Sequence, residues 1–331
     1  MFLLAIGILL WTTNKNYLYF YVTLNIAHHL KKILYFFYVA NILFPLFSVG
    51  QQNNSYLKVE TMASLKQYGD SILKAKSDSS RQAHHQLFKF QLDSILRLPQ
   101  SFNQSFDSIK NLSVLTSNDN KLRIYTWMLP EINGMNYYFF GYLQVLNAQK
   151  KMKVYELKEN KYGKNDDAEF LKLNDTTWYG ALYYKLLHKQ FDKKDQYILL
   201  GWQGKDIFST RKVMDCLTVS PSIIEFGKQV FKSTGKAKTR IILEYNAQAG
   251  VSFNYNDQMD MIIQDHLSPS DPRPEAKGIF SLYGPDLSYD GWKFKEGMWY
   301  HQKNVVVKNK KDKSSQDIKL RHDFRMQRKE E

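Results

Sequence analysis

Apolar positions in the first readable part of the chain recur with a helical period. Met62, Leu65, Tyr68 and Ile72 fall at three- and four-residue spacing, as do His84, Phe88, Leu92, Ile95 and Leu96, so each run presents one apolar face. SDSS stands between them, with Ser79 and Gln82 at capping-box spacing, and Pro99 closes the second run. The pattern predicts an αα-hairpin over 56–98.

From about Leu112 the period changes. LRIYTWML, MNYYFFGYLQVL, KMKVYELK, TWYGALYYKLL, QYILLGWQ, DIFSTRKVMDCLTV, TRIILEYN, GVSFNYN and DMIIQDHL are short runs rich in β-branched and aromatic residues. NDN, INGMN, QGK and NDQ punctuate them, which is the texture of strands and turns. Short gaps without long helices argue for antiparallel connections. The stretch from Arg240 to His266 reads as a three-stranded meander. The expected fold is mainly β with an N-terminal helical hairpin, its antiparallel meander closing as a sandwich, a barrel or a propeller-like domain. LTSNDNKLRIYTW resembles the turn and strand of a propeller blade, but no self-similar period accompanies it.

The segment before the helices has another layout. Lys31 and Lys32 precede an apolar run from Ile33 to Phe47, and Ser48-Val49-Gly50 ends it in small residues. That is the order of a secretory leader, and its run is shorter than the ~20 residues of a spanning helix. Residues 30–50 are therefore read as a signal peptide, with a retained anchor as the alternative. MFLLAIGILLW and the aromatic stretch after it have no evident physical role, and a start near Ile26 or Leu30 would give an ordinary leader. The mature chain then begins at Gln51, without a stable membrane span. The organisation expected is a leader region over 1–50, a helical hairpin and connector over 51–111, a β-rich domain over 112–307 and a basic flexible tail over 308–331.

Charge narrows the partners. The chain carries 46 Lys and Arg against 32 Asp and Glu, a net +14. Without the leader, which holds Lys15, Lys31 and Lys32 and no acid, it is +11, of which residues 308–331 contribute +4. Such a balance suits a polyanion or plain solubility. An exported chain with no legible recognition module is not expected to bind nucleic acid. Cys216, the single cysteine, lies in the apolar VMDCLTV and reads as a core thiol. No cysteine follows the leader to accept a lipid.

Motifs that announce a reaction are absent: there is no G-x-S-x-G, H-E-x-x-H, phosphate-binding loop or dinucleotide fingerprint. His84 and His85 point about 100° apart on a helix and read as a solvent-facing pair. YGPDLSYDGWKF places Asp286, Ser288, Asp290 and Gly291 at the first, third, fifth and sixth positions of a calcium loop. Gly297 stands where that loop needs a bidentate acid, and Asp290-Gly291 is also a hairpin signal. The hairpin is preferred, and calcium is the alternative, with no other cofactor expected. Asp265 and His266 suggest acid–base chemistry, but neighbours on a strand face opposite ways. Trp127, Trp178, Tyr179, Trp202, Trp292 and Trp299 could stack on sugars; in a β protein such rings are more often core.

One triplet recurs: Asp70-Ser71-Ile72, Asp93-Ser94-Ile95 and Asp107-Ser108-Ile109, with Asp175-Thr176-Thr177 a relative. It resembles the short O-glycosylation acceptor of Bacteroidetes-type bacteria, although each Ile also fits an apolar stripe. RIYTW, WYGALYYKLL, LLGW, TRKV, RIILEY, DHLSP and YGPDLSYDGW together resemble an uncharacterised secreted family of those bacteria, over most of 100–300. The resemblance implies export and carries no known activity or site residue. The leading expectation is an exported, non-enzymatic binding protein of the cell envelope or exterior, taking a glycan, a peptide or an envelope component. The rivals are a secreted hydrolase using carboxylates of the 265–296 region, such as Asp265, Asp286 and Asp290, and a structural or assembly subunit docking through the basic tail.

Overall fold

A computed structural model describes residues 60–160, 166–220 and 223–307. The leader, the start site, Gln51 and the basic tail lie outside the described residues. Helix α1 covers 60–74 and α2 covers Asp78–Leu96. Ser77 caps α2: its backbone is extended, and its Oγ accepts the Ser80 amide hydrogen at 3.2 Å. The cap thus lies two residues before the Ser79 expected from the capping-box spacing. The buried face of α2 is His85, Phe88, Leu92, Ile95 and Leu96. His85 is therefore not half of a solvent-facing pair; it has taken the core phase, and His84 is half-buried. Among the described residues no helix is long and apolar enough to cross a membrane.

Fifteen strands follow among the described residues. They are β1 (Ser113–Thr116), β2 (Leu122–Pro130), β3 (Tyr137–Leu146), β4 (Met152–Lys158), β5 (Leu173–Asn174), β6 (Leu182–Phe191) and β7 (Lys194–Gly204). Then come β8 (Ser209–Val219), β9 (Ile224–Phe226), β10 (Phe231–Lys232), β11 (Arg240–Asn246), β12 (Phe253–Asn256), β13 (Met261–Pro269), β14 (Tyr283–Lys295) and β15 (Met298–Gln302). The first sheet is β1-β2-β3-β4, the central one β5-β9-β8-β7-β6 with β11 also on β8, and the third β10-β15-β14-β13-β12. All pairs are antiparallel except the short β10–β15. The architecture is sandwich-like, and no sheet closes on itself.

Burial explains why so many runs lack alternation. One core lies between the first and central sheets and contains Leu122, Ile124, Tyr197, Leu199, Val213 and Leu217. Another lies between the central and third sheets and contains Ile198, Leu200, Met214, Cys216, Ile262 and Trp292. Successive residues of β7 and β8 therefore feed opposite cores, so both faces must be apolar. Strand β2 behaves likewise. Leu122 and Ile124 face the central sheet, while Trp127 meets Phe88 of α2 edge-on at 5.7 Å and Tyr125 meets Phe106 at 5.4 Å. Each such buried side chain contributes about 1.5–3 kcal/mol.

Two readings are corrected by the pairing. The stretch from Arg240 to His266 is not a meander: β11 joins the central sheet against β8, whereas β12 and β13 pair in the third. Asp290-Gly291 is not a turn. It lies inside β14, paired to Gln264 and Ile263 on one side, with Gly291 paired to Gln302 on the other. The turn falls at Glu296-Gly297, both with positive φ (50° and 80°), and closes the β14–β15 hairpin between Lys295 and Met298.

Candidate functional site

A cavity of about 640 Å³ runs along the N-terminal part of α2. Its helix wall is Asp78, Arg81, Gln82, His85, Gln86 and Lys89, a stripe at helical spacing. Facing it are Leu129 to Glu131 from the end of β2, Tyr138 to Phe140 from β3, and Glu156 to Glu159 from β4. Tyr138 and Phe140 share one face of β3, and Trp127, the register partner of Phe140 on β2, stacks beside its ring at 5.7 Å and 21°.

Most polar groups of the cleft are held by protein partners. Lys89 pairs with Glu156 at 2.8 Å, and Asp78 accepts the Ile132 amide at 2.9 Å. Glu131 accepts from Asn136 and from the Tyr138 hydroxyl, which hold its carboxyl below the usual range. Glu159 accepts the Phe139 amide at 3.0 Å. Arg81 gives Nη1 to the Pro130 carbonyl, but its buried Nε has no partner. His85 is 1% exposed, lies 4.1 Å from the Phe140 ring, and has both ring nitrogens unpartnered. Burial first, and the nearby Lys89 second, push its pKa down to about 4, so the ring is neutral at pH 7.

The residues singled out from sequence sit elsewhere, on the third sheet. Asp265 and His266 take separate partners, and the β13–β14 register shifts between Asp265 and Leu267. Asp265 accepts the Ser252 amide at 2.7 Å. His266 turns its Nδ1 to Asp290 Oδ2 at 2.9 Å, and His301 brings Nε2 to the same oxygen at 3.3 Å. Asp290 is 3% exposed, and its other oxygen accepts the Asn304 amide. Asp286, at the exposed end of β14, accepts both the amide and the hydroxyl of Ser288. Asp286, Ser288 and Asp290 thus lie along a strand, not in a loop curled round a cation. The structure unites His266 with Asp290 and adds His301, while each of the other acids has its own local partner.

A second cluster was not legible in sequence. Asp119 in the β1–β2 turn, His188 of β6 and Asp195 of β7 offer ligand atoms within 4.8 Å of one another. His188 Nε2 is 2.8 Å from Asp195, and Tyr197 and Ser117 donate to Asp119. Those hydrogen bonds act against burial and leave the Asp119 carboxyl below its ordinary value. Lys121 stands 3.5 and 3.6 Å from the two acids and supplies countercharge.

Five of the six aromatics considered for sugar stacking are core: Trp127, Trp178, Tyr179, Trp292 and Trp299 are all buried. Ile72, Ile95 and Ile109 of the recurring triplets are buried too, as apolar patterning requires. The cleft escaped the sequence reading because His84 and His85 fit the helical phase equally, one four residues and the other three residues before Phe88. The signal available was the polar stripe beside that face, from Asp78 to Lys89. No family model, no curated protein and no solved structure matches this chain.

Proposed function

We propose that this chain is an exported, non-enzymatic β-rich protein of the cell envelope or exterior that binds a glycan, a peptide or another envelope component in the α2 cleft. One observation carries the reading: the α2 cleft is lined by the buried, unpartnered His85 and by the Arg81 Nε, polar groups that a bound ligand can satisfy. Its volume lies within the range of small-molecule sites. The leader layout and the resemblance to a secreted family support the export half.

The test is thermal-shift screening of soluble glycans, short peptides and envelope extract fractions against the purified chain. A Gln86→Trp variant, which fills the cleft from an exposed helix position, is the control. At least one class should raise the melting temperature of the parent and leave the variant unmoved. If every class is inert, or parent and variant respond alike, the cleft is not the binding site. Export is read separately: the secreted form should begin at Gln51, and membrane-held material retaining residues 1–29 would sink the late start.

The hydrolase reading is favoured by a different observation. Buried Asp290 holds His266 through Nδ1, while among the described residues no hydrogen bond engages Nε2 of the half-exposed imidazole. That is how a carboxylate orients a general base. Turnover of an ester or glycoside substrate that vanishes in His266→Ala, with folding intact, would favour this reading over the binder.

A further inference from the structure

We infer that the α2 cleft takes a neutral saccharide, an inference that rests on the cleft being the binding site proposed above. Charge comes first. Asp78, Glu131, Glu156 and Glu159 face Arg81, Lys89 and Lys158, a formal balance of −1. A strongly charged ligand of either sign meets like charges in such a wall, whereas an uncharged, hydroxyl-rich one meets donors and acceptors in turn.

Part of the main chain at the cleft is already used. At the end of β4, the Lys158 amide donates to Asp175 and the Asn160 amide to Trp178, both at 2.7 Å, and the Phe139 amide goes to Glu159. An extended peptide that binds by adding a strand needs those groups free. What the cleft still offers are planar side-chain groups, notably the amides of Gln82 and Gln86 and the guanidinium of Arg81. Paired hydroxyls on a sugar ring match such planar groups.

The floor suits a ring as well. Tyr138 and Phe140 stand side by side on β3 and line the cleft. With Phe140 fixed by Trp127 beside it and by His85 against its ring, the half-buried Tyr138 ring is the aromatic surface left for the apolar C–H face of a sugar. Neutral His85 has one donor and one acceptor nitrogen, and a hydroxyl is itself both. Along α2 the wall from Asp78 to Lys89 extends about 16 Å at 1.5 Å per residue, enough for several linked rings.

The experiment is isothermal titration of the full mature chain with three neutral tetrasaccharides (maltotetraose, cellotetraose and chitotetraose), one oligogalacturonate and one uncharged hexapeptide. We expect one of the neutral sugars to bind, the acidic sugar to bind at least tenfold more weakly than it, and the peptide to be inert. Gln82→Ala/Gln86→Ala, on exposed positions that leave the melting temperature unchanged, should weaken the sugar about tenfold. Peptide binding abolished by Gln86→Trp, with all sugars inert, would overturn the saccharide and leave the cleft standing. Oligogalacturonate preferred over the neutral sugars would also overturn it. Sugar binding indifferent to the double variant would overturn the location, and no binding by any probe would overturn both this inference and the reading beneath it.

Discussion

Arg240 and Asp215 are register partners across the β8–β11 ladder, with Nε 3.2 Å from Oδ2 and neither side chain exposed to solvent. The guanidinium also donates to the Ala168 carbonyl at 2.6 Å and lies over the Tyr179 ring at 5.2 Å. Burial pushes the Asp215 carboxyl up, and Arg240 opposes the shift. Removing one partner strands a charge in the interior, which costs about 3–5 kcal/mol, whereas an apolar pair of similar volume can be neutral. Arg240→Met should therefore destabilise by about 3–5 kcal/mol in urea unfolding, and Arg240→Met/Asp215→Leu by clearly less. Additive losses would mean that the two residues act separately.

His85 predicts an acid weakness. Its folded pKa of about 4 lies below the unfolded value of 6.5. Between these values the unfolded chain binds more protons, so stability falls as pH drops from about 6.5 towards 4 and then levels off for this group. The loss approaches about 3 kcal/mol at the lower end. His85→Leu should remove that part of the pH dependence while keeping stability at pH 7 within about 1.5 kcal/mol, since the ring packs on Phe140. Unfolding midpoints at pH 7 and pH 4.5 decide it, and parallel losses in parent and variant would refute the assignment.

The two glycines of β14–β15 should respond differently. Gly297 has φ +80°, and a Cβ there would lie 2.7 Å from Phe191 Cδ1. Gly291 sits in the strand, where a Cβ would meet only the Met261 and Val305 side-chain ends at 3.1 to 3.2 Å. Gly297→Ala should cost about 2 kcal/mol or more, and Gly291→Ala about 1 kcal/mol. A larger loss at Gly291, measured by urea denaturation, would restore the turn to Asp290-Gly291.

Those glycines show where the chain could be read and where it could not. The β class, the two helices and the core thiol follow from local patterning, because apolar spacing is a local property. Asp290-Gly291 carries the stronger hairpin dipeptide, yet the turn falls at Glu296-Gly297. Asp290 is buried between His266 of β13 and His301 of β15, and that pairing is visible only once three strands are side by side. Strand β11 misled for the same reason. Its partner, β8, precedes it by more than twenty residues, and nothing in RIILEY names the ladder that it joins. The cleft depends on the one-residue choice between His84 and His85, which Trp127 and Phe140 settle from the first sheet.

The last prediction concerns Asp290. Burial lowers the His301 pKa, and the Asp290 carboxylate pulls the other way. Asp290→Asn removes that charge while keeping shape and one acceptor, so the His301 pKa should fall further, as followed by its imidazole proton shifts in an NMR titration. With the folded value depressed more deeply, the acid side loses stability over a wider window below pH 6.5. Asp290→Ala goes further by leaving the Asn304 amide and two imidazoles without their acceptor, and should cost about 1–3 kcal/mol at pH 7. The same variants separate structure from chemistry. If the His266–Asp290 pair serves only to tie β13, β14 and β15 together, Asp290→Asn should keep ligand binding at the α2 cleft and change nothing but stability and titration. A His301 titration untouched by Asp290→Asn would show that the carboxylate does not hold the ring, and the three-strand tie would fall with it.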